Sequence, residues 1–406
     1  MPAPALPMQT IRVLAITYGA FYFCRSNLSA AVPGIKAELA LDNAEMGMVL
    51  ATSKLVYGIG QLVNGQLAER VSPRKLLAVG MLGSAALNLV FGFGAAVELL
   101  VFVWACNGYV QALGWTPTMK VAANWLEPAA RGRAIGIIGT GYQAAAAITF
   151  VISGYAVEHF GWRGALWLPA LLLASCAVYM LLRLREQPEP PEYGGPHAAR
   201  IELAPALPLG RSILLTLRNP ALWLLALALG LLNANRYGFL DWGITHVTEA
   251  TNGGIGEAAL EYAVLPAGGI AGALVSGWLS DRFFHGRRAP VLVGALLLLA
   301  MLTLVYRDAV ALGVLPTIAC LFAVGFVLFG AQVLLVGTAP VDLARPGTRV
   351  AAVGFVNFAG YMGAYAGDRI TGTLADTHGW GTAVGFWAAC AAAAALCVAL
   401  LWNRRA

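Results

Sequence analysis

The chain has 406 residues, of which 59% are apolar and only 11% charged, with mean hydropathy +0.72 and formal net charge +6. Soluble domains run at roughly 25% charged and 45–50% apolar, so this composition excludes water-soluble domains, disorder, a collagen-like fibre and a disulfide scaffold. What remains is a polytopic membrane protein, whose length suits roughly a dozen helices at about 20 apolar residues per crossing.

Apolar stretches predict spans near residues 13–35, 46–68, 76–97, 99–119, 134–157 and 163–183, then 220–246, 256–280, 289–306, 309–337, 350–375 and 380–402. They are too long for barrel strands, which need only about 10 alternating residues. The first has only Arg12 ahead of it and Arg25 within it, so it reads as a transmembrane helix rather than a cleaved leader. The fold expected is all-α, with twelve transmembrane helices in two pseudo-symmetric six-helix bundles. Residues 1–183 form the N-terminal bundle and 220–406 the C-terminal bundle. The proline- and glycine-rich stretch 184–219 reads as a flexible cytoplasmic linker.

Most of the 26 basic residues fall in loops on one side of such a topology, against Lys36, Arg163 and Arg307 on the other. The positive-inside rule then puts both termini in the cytoplasm of a multi-pass protein of the cell inner membrane. It also explains the basic excess without nucleic acid. The six cysteines lie within apolar stretches and read as buried apolar residues. No glycine-rich phosphate loop, metal-ligand spacing or nucleophile triad stands out, so an enzyme is not expected and no cofactor is implied.

The halves repeat each other. Gly65-Gln66-Leu67-Ala68-Glu69-Arg70 after span two is echoed by Gly277-Trp278-Leu279-Ser280-Asp281-Arg282 after span eight. Arg25 in span one answers Arg236 in span seven, and Gly161-Trp162 answers Gly379-Trp380. Two six-helix halves with a site between them at mid-membrane is an architecture of secondary transporters. Glu69, Arg70, Asp281 and Arg282 can pair with loop charges and bias an inward or outward state, or act as topology anchors alone.

Charges inside the membrane cost from about 2.5 to more than 10 kcal/mol unless paired or wetted. Four cations fall within spans, Arg25, Lys54, Arg236 and Arg369, and the acids read against them are Asp241 and Asp368. Tyr18, Tyr22 and Arg25 share a helical face. Lys54 shares one with Tyr57, Gly58 and Gln61, and Asn233 lies one turn before Arg236. An excess of buried cation facing a wet cleft is an anion site, and arginine offers a planar fork for phosphate or carboxylate oxygens. The alternative is structural pairing with carbonyls or acids elsewhere in the chain. A proton-driven exporter of lipophilic compounds would need an embedded carboxylate; spans one and four have none, which leaves Asp241 and Asp368.

At Tyr22-Phe23-Cys24-Arg25-Ser26-Asn27 and Arg236-Tyr237-Gly238-Phe239-Leu240-Asp241-Trp242 the sequence resembles the organophosphate:phosphate antiporter family of the major facilitator superfamily. Gln111 to Pro117, Gly277 to Asp281, and the stretch from Val353 to Tyr361 extend the resemblance over nearly the whole chain. It implies that Arg25 and Arg236 grip a phosphate from opposite halves, that Tyr18, Tyr22 and Tyr361 line the cavity, and that transport proceeds by rocker-switch exchange with inorganic phosphate. The pattern also departs from the family. Tyr142, beside Gln143, stands where some members have histidine, Gln61 where a lysine is expected, and Phe329 where a tyrosine is expected. Lys54, Gln61, Tyr142, Gln143 and Asn233 are therefore expected to shape selectivity. The partners expected are a small anionic substrate, inorganic phosphate and the lipid bilayer, with the chain a monomer. A membrane sensor for such an anion is the rival reading.

Overall fold

The computed structural model describes residues 7–126, 128–187, 209–283 and 288–402. Among them the chain is helical throughout, and its helices assemble as twelve crossings. Eight helices are long and apolar enough to span a membrane on their own, and the bent pair Gly210–Leu217 with Pro220–Thr251 makes a ninth. The helix Pro128–Arg183 contains two crossings, divided at Gly161, whose φ of +67° is a conformation that glycine adopts without strain. Span one is interrupted after Ala20 and resumes at Leu28. Span eleven, Arg349–His378, carries Asp368 and Arg369 in its interior. The two crossings that fall short of simple apolarity are thus ones that carry central polar residues.

Two boundaries differ from the sequence reading. Residues 309–312 belong to span nine, Arg288–Leu312, and span ten begins at Val314, because Gly313 at φ +110° ends one helix and opens the next. Within the linker, Leu209–Leu217 is helical, with Ile213, Leu214 and Leu217 exposed along it. It turns by 78° into span seven, where the Asn219 side chain caps Ala221 N and Pro220 starts the new helix. Residues 188–208 of the linker lie outside the described residues.

The halves meet chiefly through span two against span eleven and span five against span eight, where Gly154 faces Gly256 and Ala259. At the end opposite the linker they are pinned together. Lys36 Nζ lies 2.7 Å from Glu249 Oε1, and Asp376 accepts from Asn43 N, Asn43 Nδ2 and Ala44 N at 3.2, 2.7 and 2.8 Å, capping span two across the interface. Spans two and eleven approach there through glycine: a Cβ on Gly372 would stand 2.2 Å from Asn43 O.

Candidate functional site

Arg25 owes its position to a broken helix. Phe21–Cys24 is a 3₁₀ turn, which leaves carbonyls without α-helical partners at membrane depth, where each needs one. Span four supplies them. Gln111 Nε2 donates to Phe21 O (3.0 Å) and Cys24 O (3.3 Å), and Asn107 Nδ2 donates to Cys24 O (3.0 Å). Ser84 joins the two, accepting from Gln111 at 2.8 Å and donating to Asn107 at 2.6 Å. The other end of the Gln111 amide accepts from Arg25 Nε at 3.2 Å. The guanidinium then lies between the rings of Tyr22 and Tyr57, 4.9 and 4.5 Å from their centroids, with Nη2 unbonded.

Arg236 occupies the last turn of Pro220–Tyr237 and is 5% exposed. Its guanidinium lies 4.9 Å from the Tyr237 ring and 5.3 Å from Phe329, and Nε has no hydrogen-bond partner. The two arginines, one from each half, line the same small cavity, of about 40 Å³, together with Tyr22, Tyr57, Gln111 and Tyr361. Neither holds a carboxylate among the described residues. A wider chamber of about 140 Å³ adjoins it on the linker side, lined by Tyr18, Gln61, Trp115, Tyr142, Asn233 and Asn357. Tyr22, Tyr57, Arg236 and Tyr361 face both. The aromatic wall is continuous: Tyr18 to Trp115 5.0 Å, Tyr22 to Tyr142 4.9 Å stacked, and Tyr57 to Tyr361 4.6 Å across the halves.

Asp241 lines the same cavity, but it and Asp368 are paired with Lys54 rather than with the arginines. Lys54 Nζ from span two is hydrogen-bonded to Asp241 Oδ2 and lies 2.9 Å from Asp368 Oδ2, with a second bond to Leu50 O at 3.1 Å. Side-chain exposures of 9%, 8% and 0% make this a buried ionic cluster joining the N-terminal half to spans seven and eleven. Asp241 comes from a π-helical turn, Gly238–Trp242, the counterpart of the break at Arg25. Asp241 and Asp368 are thereby committed to Lys54, and the arginines keep free donors. A pair of guanidinium forks, ring-flanked and without carboxylates, can hold an oxyanion.

Ten of the sixteen residues singled out from sequence as site residues converge here. Tyr18, Tyr22, Arg25, Lys54, Gln61, Tyr142, Asn233, Arg236, Asp241 and Tyr361 line one or both chambers. Asp368 sits behind Lys54. Gln143, 2% exposed, is outside the lining, since it lies about 100° around the helix from Tyr142. Arg70 and Arg282 are exposed at helix ends near the linker, and the side chains of Glu69 and Asp281 lie outside the described residues. Arg369 is exposed and points away from Asp368. Sequence reasoning left Gln111, Ser84, Asn107 and Tyr237 without roles. The signal for the first three is polarity in apolar spans, where each such group needs a partner.

The same architecture recurs among solved structures. A bacterial homolog to the human lysosomal transporter Spinster, in an inward-facing and occupied conformation, superposes with a TM-score of 0.76 over 98% of this chain and 96% of that one, at 16% identity. Residues 14–368 match the Major Facilitator Superfamily model. Among curated relatives, a probable hexose phosphate transport protein of Chlamydia pneumoniae is 30% identical over 96% of this chain and 89% of its own length. The glycerol-3-phosphate transporter of Bacillus subtilis (strain 168) is 28% identical over 98% and 93%. The membrane sensor protein UhpC of Escherichia coli (strain K12) is 28% identical over 95% and 89%. The chain belongs to the major facilitator superfamily, and within it to the organophosphate:phosphate antiporter branch. It is a multi-pass membrane protein of a transport family and not an enzyme.

Proposed function

We propose that the chain carries a small phosphorylated or other organic anion across the inner membrane in exchange for inorganic phosphate, by alternating access. The observation that supports this best is the placing of Arg25 and Arg236, from opposite halves, on one buried cavity without carboxylate partners. Anion held by both arginines draws the halves together, while the empty carrier keeps two unsatisfied cations and reorients slowly, which favours exchange. Tyr18, Tyr22 and Tyr361 wall the cavity. Lys54, Gln61, Tyr142 and Asn233 tune selectivity, and Asp241 and Asp368 couple anion binding to the interface. Glu69, Arg70, Asp281 and Arg282 bias the conformation. With both termini cytoplasmic, the chamber beside the linker is the inward side and the Lys36–Glu249 end the closed outward side. The chain works as a monomer.

The test is a competition panel in proteoliposomes loaded with phosphate, challenged with phosphate esters, phosphonates and dicarboxylates. Arg25→Lys and Arg236→Lys should each cripple exchange; normal exchange by both variants sinks the mechanism. Similarity to a membrane sensor protein along 95% of the chain supports a second reading, in which anion binding is signalled rather than coupled to transport. Phosphate-dependent counterflow by the purified chain would decide against it. A proton-coupled exporter of lipophilic compounds would transport independently of both arginines.

A further inference from the structure

The buried charges at the centre carry an imbalance. Lys54 Nζ donates to Asp241 Oδ2 and Leu50 O and lies 2.9 Å from Asp368 Oδ2, so one cation serves two carboxylates. Asp368 is 0% exposed, and neither of its carboxylate oxygens has a hydrogen-bond donor. A buried carboxylate in excess persists only beside compensating positive charge, or by taking a proton. In the empty chain Arg25 and Arg236 provide that charge. The Tyr237 ring relays the proximity, with Lys54 Nζ 5.0 Å and the Arg236 guanidinium 4.9 Å from its centroid, so the two cations stand within about 10 Å.

We propose that the Lys54–Asp241–Asp368 cluster is a proton site, and that the chain takes up one proton each time the two arginines receive a doubly charged anion. The proposal rests on the reading that Arg25 and Arg236 bind an anion. A dianion cancels the arginines' charge and leaves the central groups one negative charge in excess. A proton from cavity water forms an O–H bond on Asp368 and restores neutrality, while Lys54 keeps its bond to Asp241. When the anion leaves, the arginines' charge is uncovered and the proton returns to solvent. At about 10 Å and an effective dielectric near 20, one unit of charge changes proton binding by about tenfold. The groups facing the cluster are Arg25 and Tyr22 from span one, Tyr57 from span two, Arg236, Tyr237 and the Trp242 indole from span seven, and Tyr361 from span eleven. Because Asp368 bridges the halves through Lys54, its neutralisation also loosens spans two and eleven, which are pinned beyond it at Asn43 and Asp376.

The experiment uses the purified full chain in weakly buffered detergent solution, with inorganic phosphate at alkaline pH, where it is a dianion. Binding is followed by calorimetry and proton uptake by an indicator dye on the same sample. The expected result is about one proton per phosphate bound, abolished in Asp368→Asn, which still binds phosphate, and restored in Asp368→Glu. Phosphate binding without proton uptake, or undiminished uptake by Asp368→Asn, overturns the proposal and leaves the arginine clamp standing. No phosphate binding by the unmodified chain overturns the clamp and the proposal with it. If Asp368→Asn does not fold, infrared difference spectra of the unmodified chain decide. A protonated-carboxyl carbonyl band appearing with phosphate supports the site, and its absence overturns it.

Discussion

Replacing Lys54 by methionine strands two buried carboxylates at once. Deleting one partner of a buried ion pair costs about 3–5 kcal/mol, because the remaining charge stays desolvated and uncompensated. With Asp241 and Asp368 both relying on the same ammonium, and the side chains 8% and 0% exposed, Lys54→Met should fall at the upper end of that range. Asp368→Asn leaves the neutral Lys54–Asp241 pair in place and costs about 1–3 kcal/mol, the price of an imperfect hydrogen bond. The triple variant Lys54→Met/Asp241→Asn/Asp368→Asn removes every buried charge of the cluster and should recover most of the loss. Thermal unfolding in detergent, followed by monodispersity, ranks the three. Acidification should narrow the gap between Lys54→Met and the unmodified chain, since protons neutralise the stranded carboxylates. A Lys54→Met protein as stable as Asp368→Asn, and indifferent to pH, would refute the reasoning that this cluster is a bonded unit.

Other consequences are as direct. Gln111→Leu removes the acceptor at Arg25 Nε and the donors that satisfy Phe21 O and Cys24 O; phosphate exchange should show a raised KM, and Gln111→Glu should do no better, because its carboxylate pairs with Arg25 and has no proton for Phe21 O or Cys24 O. Gly372→Leu places a side chain where a Cβ already meets Asn43 O at 2.2 Å; cysteine cross-linking between positions 43 and 376 should become inefficient as the end opposite the linker is forced apart. Glu38 stands in water beyond the membrane-crossing part of span one, held down to about 2 from an ordinary 4.5 by hydrogen bonds from Arg163 and Trp162. Its contribution is present above pH 4.5 and lost as pH falls toward 2, so Glu38→Gln should flatten the acid limb of the stability profile; an unchanged limb would count against the bond.

The legibility of this chain in its sequence divides along a physical line. Crossings and their pairing into halves follow from apolar length and from landmarks such as Arg25 and Arg236, which are local or periodic signals. Tyr18, Tyr22 and Arg25 were readable as one face because the 3₁₀ turn at Phe21–Cys24 keeps successive turns nearly aligned, although the break itself carries no proline or glycine to announce it. The bond from Lys54 to Asp241 and Asp368 was not readable. It joins spans two, seven and eleven across the interface, and no spacing in the chain encodes a contact between separate bundles. The sequence tally of four cations against Asp241 and Asp368 passed over Glu257 and Glu261 within 256–280, and which cation takes both aspartates is a matter of tertiary geometry. Gln143 illustrates the opposite error, a polar neighbour of a site residue turned away by a single helical step. The short helix Leu209–Leu217 escaped notice because proline and glycine elsewhere in the linker dominated its composition.

The central claim is that two guanidinium groups from opposite halves hold one anion. Calorimetric titration of inorganic phosphate into the purified chain, beside Arg25→Lys, Arg236→Lys and the double variant, tests it most directly. Joint gripping predicts that each single variant loses at least tenfold in affinity and that the double variant loses little more than either, since one fork alone cannot close the site. Phosphate affinity unchanged in either single variant would contradict it.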